Sequence, residues 1–126
     1  MSLAYWCILC AGVMPILTVS IAKWGVRDYD NAEPRAWMDR LTGYRRRADY
    51  AHRNHFEAFP FFAAAVLVAE QLHGNASLIN ALALAFIFFR VVYTVLYVRN
   101  KPTLRSSAWL LAYLCVLGLF GVAAAG

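Results

Sequence analysis

Two polar residues that interrupt an apolar stretch, Asn54 and Glu57, are the first candidates for chemistry in this sequence. They lie three positions apart and share one face of a helix, with Arg47 two turns before Asn54 near that face and Arg53 adjoining it. Polar groups in an apolar environment are costly unless they are paired. We therefore expect these side chains either to pair with one another or to bind a ligand.

A second polar stripe interrupts the apolar segment LAFIFFRVVYTVLYV. Its members recur at positions i, i+3, i+4 and i+7 and so share one helix face: Arg90, Tyr93, Thr94 and Tyr97. Arg105 and Ser106 follow at the start of the last apolar segment. Together with the first group, these residues predict a polar pocket that contains arginines, one carboxylate, tyrosines and a hydroxyl.

The side chains of this pocket indicate what a ligand would carry. Several arginines favour a ligand with more than one carboxylate, because each guanidinium can bind a carboxylate through two hydrogen bonds. A lone glutamate among arginines can receive an ammonium group, and tyrosine and serine hydroxyls can donate to a thiolate or an oxyanion. Glutathione, with two carboxylates, one α-amine and one thiol, is one ligand that matches.

The same residues allow three other interpretations. Glu57 is expected to lie within salt-bridge reach of an arginine, with Arg90 as the first candidate, and such an ion pair between helices could be purely structural. His52 and His55, with Glu57 nearby, have spacing that could suit a metal, but no facing cluster of histidines or carboxylates accompanies them, and we predict no metal site. The basic stretch GYRRRADYAHR could contact anionic lipid.

The composition indicates the environment of these groups. The chain has 126 residues, of which 62% are hydrophobic and 15% charged, with a net charge of +5. A soluble domain of this length does not need so much apolar sequence. Basic charge on such a chain indicates a membrane surface or an anionic ligand rather than nucleic acid. No linker, repeat or low-complexity tract divides the chain, so residues 1–126 are predicted to form one domain.

Four apolar segments are long enough to cross about 30 Å of hydrocarbon as helices. They are 3–22, 54–72 with a helix that begins near 44, 78–98 and 105–125. Pro102 interrupts helix formation between the last two, and Ser106 or Ser107 could cap the fourth helix. The predicted fold is therefore all-α, an integral membrane antiparallel four-helix bundle.

The first apolar segment could be mistaken for a signal peptide, and it contains a pattern typical of redox or zinc sites. Its apolar run is longer than the core of a signal peptide and no basic residue precedes it, so we expect it to be retained as a span. Cys7 and Cys10 form a C-x-x-C pattern there, but no second ligand pair accompanies it. We interpret both cysteines as packing residues.

Basic residues are concentrated in two of the connections between spans. Residues 23–53 hold most of the lysines and arginines, and Arg99, Lys101 and Arg105 lie near the third connection. The turn at 73–77 and both termini have none. The positive-inside rule therefore places the first and third connections in the cytoplasm and both termini on the other side.

One long stretch resembles a known family. PRAWMDRLTGYRRRADYAHRNHFEAFPFFAAAVLVAE (34–70) is similar to the signature of the MAPEG family, the membrane-associated proteins in eicosanoid and glutathione metabolism. The core pattern R-A-x-x-A-x-x-N-x-x-E-x-x-P is carried by Arg47, Ala48, Ala51, Asn54, Glu57 and Pro60. RVVYTVLY (90–97) and LRS (104–106) match a second piece. The chain is most similar to small bacterial members of the family, which implies a bacterial inner membrane.

The resemblance implies a homotrimer that binds glutathione as co-substrate between neighbouring subunits near the cytoplasmic face. It implies that Arg105 stabilises the glutathione thiolate and that Ser106 assists. The residues that it implies in binding or supporting the tripeptide are Arg47, Arg53, Asn54, Glu57, Arg90, Tyr93 and Tyr97. Several animal members have an arginine four residues before the asparagine, where this chain has Tyr50, and Arg46 or Arg47 is the expected replacement.

The function implied is a membrane-bound glutathione transferase, with glutathione-dependent peroxidase activity toward lipid hydroperoxides as an extension. An activated thiolate would attack an apolar electrophile that arrives from the bilayer. The alternative is a non-catalytic accessory subunit that binds lipid or a membrane partner, since the family includes a member that binds lipid without catalysis. A third interpretation is a structural helix bundle in which the polar cluster only determines which helices pack together.

Overall fold

The computed structural model describes all residues, 1–126, and its regular secondary structure is entirely α-helical, with no strand. Four long helices and one short helix follow one another along the chain. They are α1 (Leu3–Lys23), α2 (Pro34–Asp39), α3 (Gly43–Gln71), α4 (Ala76–Val98) and α5 (Pro102–Ala125). The four long helices lie close to the boundaries predicted from the apolar segments, whereas the short helix α2 was not predicted.

Local side-chain chemistry explains where α4 and α5 begin. The Asn75 side chain accepts a hydrogen bond of 3.0 Å from the Leu78 backbone N–H and so caps α4. Pro102 occupies the first turn of α5, where its missing N–H costs nothing. The expectation that Ser106 or Ser107 caps this helix is therefore wrong, because both lie inside it.

Three helices, α1, α4 and α5, are long and apolar enough to cross a membrane. Helix α3 is the longest, at 29 residues, but it opens with the basic stretch GYRRRADYAHR. This basic half makes α3 less apolar than the other three long helices. The basic half of α3 and the apolar half that follows it meet at Asn54 and Glu57.

One end of the molecule brings together the start of α1, the end of α3 and the start of α4. The Ser2 hydroxyl donates a hydrogen bond of 2.7 Å to Glu70, in the last turn of α3. The backbone N–H of Ala4 donates to the Asn80 side chain near the start of α4, at 3.1 Å. These two bonds fix α1 against both neighbours near the N-terminus.

The opposite end brings together the end of α1, the start of α3 and the end of α4. An Arg45 guanidinium nitrogen donates to the carbonyl of Ala22 at 3.0 Å. The Arg47 Nε donates to the carbonyl of Val98 at 3.1 Å. Because carbonyls at the end of a helix have no partner within it, both arginines stabilise these two helix ends.

Small and aromatic side chains fill the space between the helices. The rings of Phe62 and Phe86 stack with their centroids 3.9 Å apart. Alanines let the backbones approach closely, as in membrane helices generally. Cys7 and Cys115 are buried among them, Cys10 is exposed, and all three cysteines are free. The core is formed by Ala4, Cys7, Ala11, Phe62, Ala65, Val66, Ala69, Ile79, Ala83, Phe86, Ala112, Cys115, Val116, Leu119 and Ala123.

Candidate functional site

A cavity of about 250 Å³ lies between α3, α4 and α5 and is called the Arg90 cavity here. Its polar wall consists of Asn54 and Glu57 from α3 and Arg90 from α4. The rest of its lining is mainly apolar and aromatic: Ala58, Phe61, Phe86, Trp109, Ala112, Tyr113 and Val116. The structure thus brings three of the predicted binding residues to one place.

Arg90 is buried, with 2% of its surface exposed, and the protein supplies neutral acceptors for its charge. One terminal nitrogen donates to the Asn54 side-chain oxygen at 2.9 Å, and the other donates to Nδ1 of His55 at 2.7 Å. The guanidinium also lies over the ring of Tyr93, 4.3 Å from its centroid, and the face of an aromatic ring attracts a cation. Two hydrogen bonds leave further N–H donors of this five-donor group for a ligand.

The prediction of an ion pair between Arg90 and Glu57 is wrong. The ion pairs of this chain both involve Arg53. Glu57 instead accepts a long hydrogen bond of 3.4 Å from the amide nitrogen of Asn54. The reason is positional, because the shorter Asn54 side chain lies between the two charged groups and offers its oxygen to the arginine and its nitrogen to the carboxylate.

His55 is a residue of this site that sequence reasoning missed. Its Nε2 lies 2.9 Å from the Thr94 hydroxyl, which itself donates to the Arg90 backbone carbonyl at 2.8 Å. The missed signal was its spacing. His55 occupies a stripe of α3 with alternating steps of three and four residues, which is otherwise small or apolar and largely buried: Ala48, Ala51, His55, Ala58, Phe62, Ala65 and Ala69.

The two histidines considered as metal ligands do not face a common point. Both ring nitrogens of His55 are occupied by Arg90 and Thr94. Nδ1 of His52 donates to the carbonyl of Pro15 in α1, at 2.9 Å. His52 thus joins α3 to α1, whereas His55 joins α3 to α4.

A row of alternating cations and aromatic rings runs from the Arg90 cavity toward the end of α4. Arg90 lies over Tyr93, the rings of Tyr93 and Tyr97 meet edge to face at 5.5 Å, and Arg105 lies 4.3 Å from the centroid of the Tyr97 ring. The phenol oxygens of the buried Tyr93 and the half-buried Tyr97 make no hydrogen bond within the chain. The polar stripe of α4 therefore connects the Arg90 cavity with Arg105.

Arg105 and Ser106 line a separate shallow cavity at the start of α5 rather than the Arg90 cavity. Leu110 and neighbouring residues of the first turns of α5 form the rest of this surface. Within one chain, the residues predicted to activate a thiol and those predicted to bind the ligand are thus adjacent through Tyr97 but do not share a wall.

Arg53 is directed away from the Arg90 cavity. Its guanidinium bridges Asp39 of α2, at 2.9 Å, and the buried Asp49 of α3, at 3.0 Å. It lines another cavity, of about 520 Å³, between α1, α2 and α3. In this chain, therefore, Arg53 fastens the short helix α2 to α3.

Arg47 and Arg46 also have partners elsewhere. Arg47 donates to the carbonyl of Val98 at 3.1 Å and so stabilises the end of α4. Arg46 donates to the hydroxyl of Tyr50 at 2.6 Å, one turn further along the exposed surface of α3. The two proposed replacements for the missing arginine at position 50 thus lie outside the Arg90 cavity.

Comparison with known proteins identifies the family. The MAPEG family model matches residues 3–125, almost the whole chain. No curated protein and no solved structure gives a significant match. The family match and the three apolar helices together make this an integral membrane protein. The chain belongs to the MAPEG family.

Proposed function

We propose that this protein is a membrane-bound glutathione transferase. The observation that carries the proposal is the Asn54 side chain, which keeps the cation of Arg90 and the anion of Glu57 apart in one cavity. Opposite charges that do not neutralise each other suit a ligand that has both. The γ-glutamyl end of glutathione is such a group, with an α-carboxylate and an α-ammonium.

Each end of that zwitterion has a partner in the Arg90 cavity. The remaining N–H donors of Arg90 receive the α-carboxylate, because charge-assisted bonds to a guanidinium are strong and directional. Glu57 receives the α-ammonium. The phenol hydroxyls of Tyr93 and Tyr97 donate to the peptide as it runs toward the end of α4.

The thiol is activated at the rim. Arg105 lies in the first turns of α5, where its charge and the N-terminal dipole of the helix both stabilise an anion. The exposed hydroxyl of Ser106 donates a hydrogen bond to the sulfur. The thiol proton passes to water, the thiolate forms a carbon–sulfur bond to the electrophile, and the electrophile's leaving group departs with its electron pair.

The apolar lining of the Arg90 cavity suits an electrophile that arrives from the bilayer. On this side of the molecule Trp109 stacks on Tyr113, and the ring of Phe61 meets Tyr113 at a tilted angle. A lipid hydroperoxide is a second substrate class that such a surface accepts. In that reaction two glutathione thiols are oxidised to one disulfide, while the hydroperoxide is reduced to an alcohol and water.

We further propose that α1, α3, α4 and α5 cross a bacterial inner membrane as an antiparallel bundle. The basic residues of the first and third connections favour the cytoplasm for those connections and the other side for both termini. Three such chains form a homotrimer, in which a neighbouring subunit covers the surface between the two cavities. Three successive alanines of α3, Ala63, Ala64 and Ala65, suit a close contact between helices. Ala64 is exposed and Ala63 half-buried, whereas Ala65 is buried in its own chain. Mass measurement in nanodiscs tests this assembly, and a folded monomer contradicts it.

Calorimetric titration of the purified protein tests the ligand. We expect glutathione to bind, and glutathione with an acetylated α-amine or cysteinylglycine to bind at least tenfold more weakly. The acetylated compound lacks the α-ammonium, and cysteinylglycine lacks the whole γ-glutamyl residue. Glu57→Gln should abolish the discrimination against the acetylated compound. Glu70→Gln is the matched control, since Glu70 lies on the same helix but bonds to Ser2 at the far end.

A non-catalytic accessory subunit is the second candidate. It is favoured by one observation, the separation of Arg105 and Ser106 from the Arg90 cavity within a chain. Thiolate absorbance and conjugation of an activated aryl chloride distinguish the two functions. Bound glutathione without thiolate and without turnover supports the accessory subunit and contradicts the transferase.

A further inference from the structure

We propose that His55 is a positioning residue that holds the Arg90 guanidinium in one orientation by acting as a neutral acceptor. The inference rests on the proposed function only where it concerns glutathione, since the orientation of Arg90 is a property of the free protein. His55 does not line the Arg90 cavity, and it would act on a ligand through Arg90.

The hydrogen bonds determine the form of the imidazole. Arg90 has only donors, so Nδ1 of His55, 2.7 Å from the guanidinium, must accept. The Thr94 hydroxyl uses its single hydrogen toward the Arg90 carbonyl, at 2.8 Å, so it accepts from Nε2–H of His55 at 2.9 Å. His55 is therefore neutral, with its proton on Nε2.

These bonds form a closed ring in which every donor points the same way. The Arg90 side chain donates to His55, His55 donates to Thr94, and Thr94 donates back to the Arg90 backbone. Because Arg90 and His55 are only 2% and 3% exposed, bulk water does not replace a missing partner. Thr94 thus fixes the tautomer, and the tautomer supplies the acceptor that Arg90 needs.

Loss of this acceptor has a specific consequence for the site. Asn54 would remain as the one side chain bonded to Arg90, and the guanidinium could then turn toward Glu57. An ion pair between Arg90 and Glu57 would neutralise the two charges that the proposed ligand needs. We therefore expect weaker glutathione binding even in a variant that folds normally.

The pair His55→Asn and His55→Leu separates positioning from packing, because asparagine and leucine are close in size and both lose the bond to Thr94. Only asparagine places an oxygen where Nδ1 lies, so it can still accept from Arg90. In the full protein, His55→Leu should weaken glutathione binding about tenfold or more, the effect expected for a lost bond to a charged group. His55→Asn should stay within about threefold of the unmodified protein.

Nitrogen-15 NMR of labelled protein in nanodiscs tests the positioning without a ligand. The unmodified protein should show His55 with Nδ1 unprotonated and Nε2 protonated. The Arg90 Nη signals, assigned with Arg90→Lys, should keep their positions in His55→Asn and move in His55→Leu. The imidazole measurement needs no variant, so it holds even if His55→Leu does not fold.

Two results would overturn the positioning role of His55, and a third would separate it from the proposed transferase function. A protonated Nδ1 in the unmodified protein overturns the inference. Equal behaviour of Arg90 in the asparagine and leucine variants also overturns it, because packing alone then explains His55. If the expected NMR pattern appears but glutathione does not bind, the positioning of Arg90 stands and the proposed transferase function fails.

Discussion

Arg90 donates a hydrogen bond of 2.9 Å to the side-chain oxygen of Asn54. This oxygen takes the place of the carboxylate with which the arginine was expected to pair. A buried guanidinium that bonds to neutral acceptors keeps its full charge available to a ligand. An ion pair in the same place would leave a neutral site, and breaking it to admit a ligand would cost free energy.

Asn54→Asp should convert the site to that neutral state. The new carboxylate would pair with Arg90 and repel Glu57, so glutathione binding should weaken at least tenfold while the protein remains folded. Calorimetry and a thermal unfolding scan measure the two effects. Asn80→Asp is the control, because the side-chain oxygen of Asn80 only accepts a bond from the Ala4 backbone. Unchanged glutathione affinity in Asn54→Asp would contradict the assignment of this cavity.

Arg53→Gln decides whether Arg53 fastens α2 or contacts the ligand. The side chain bridges Asp39 and the buried Asp49, so its loss should loosen the segment between α1 and α3. We expect faster cleavage of that segment by a protease and glutathione affinity within about twofold of the unmodified protein. The opposite pattern, normal cleavage with weak binding, would support the ligand contact that the family resemblance implies.

Arg105→Ala should remove most of the thiolate. Lowering the pKa of a thiol from about 8.5 to about 6.5 stabilises its anion by about 2.7 kcal/mol, and a cation in the first turns of a helix is suited to this. Thiolate absorbance and conjugation rate should both fall, and Arg105→Lys should keep part of each, since a point charge replaces the planar fork.

Arg99→Ala is the matched control for Arg105, because Arg99 is an exposed arginine at the end of α4, across the short connection from Arg105. It should leave thiolate absorbance unchanged. Equal losses in the two variants would mean that general positive charge, and not the position of Arg105, stabilises the anion.

Ser106→Ala should slow conjugation about tenfold without a change in stability. The Ser106 hydroxyl makes no hydrogen bond within the chain, so its removal leaves no unpaired group, whereas the loss of a bond to an anion costs about one order of magnitude. Ser107→Ala is the control, because that hydroxyl donates to the Thr103 carbonyl of its own helix, at 3.1 Å. If Ser107→Ala slows the reaction equally, Ser106 has no special role.

Much of the helical structure could be predicted because it depends on local chemistry. Apolar runs of membrane-crossing length place the long helices within a few residues of their observed bounds. The start of α5 is the exception, since Pro102 occupies its first turn and the expected serine caps lie inside it. Helix α2 escaped prediction because six residues have no periodicity to read and its position depends on the contact between Asp39 and Arg53.

The site was predictable as a set of helix faces but not as a set of partners. Spacing placed Asn54 beside Glu57 and Arg90 beside Tyr93, and the Arg90 cavity contains or adjoins all four. The acceptors of Arg90 are determined by the register and rotation of α3 against α4. These quantities cannot be derived from the sequence pattern of either helix alone. The role of His55 follows from the same register.

The ring of hydrogen bonds through His55 and Thr94 has a consequence for the entropy of binding. A free arginine side chain loses about 2 kcal/mol of rotamer entropy when it becomes ordered. Arg90 loses this freedom as the protein folds, because the ring and the Tyr93 face already fix its guanidinium. A carboxylate that reaches Arg90 therefore meets a preorganised partner, and its binding energy is not reduced by the ordering of a flexible side chain.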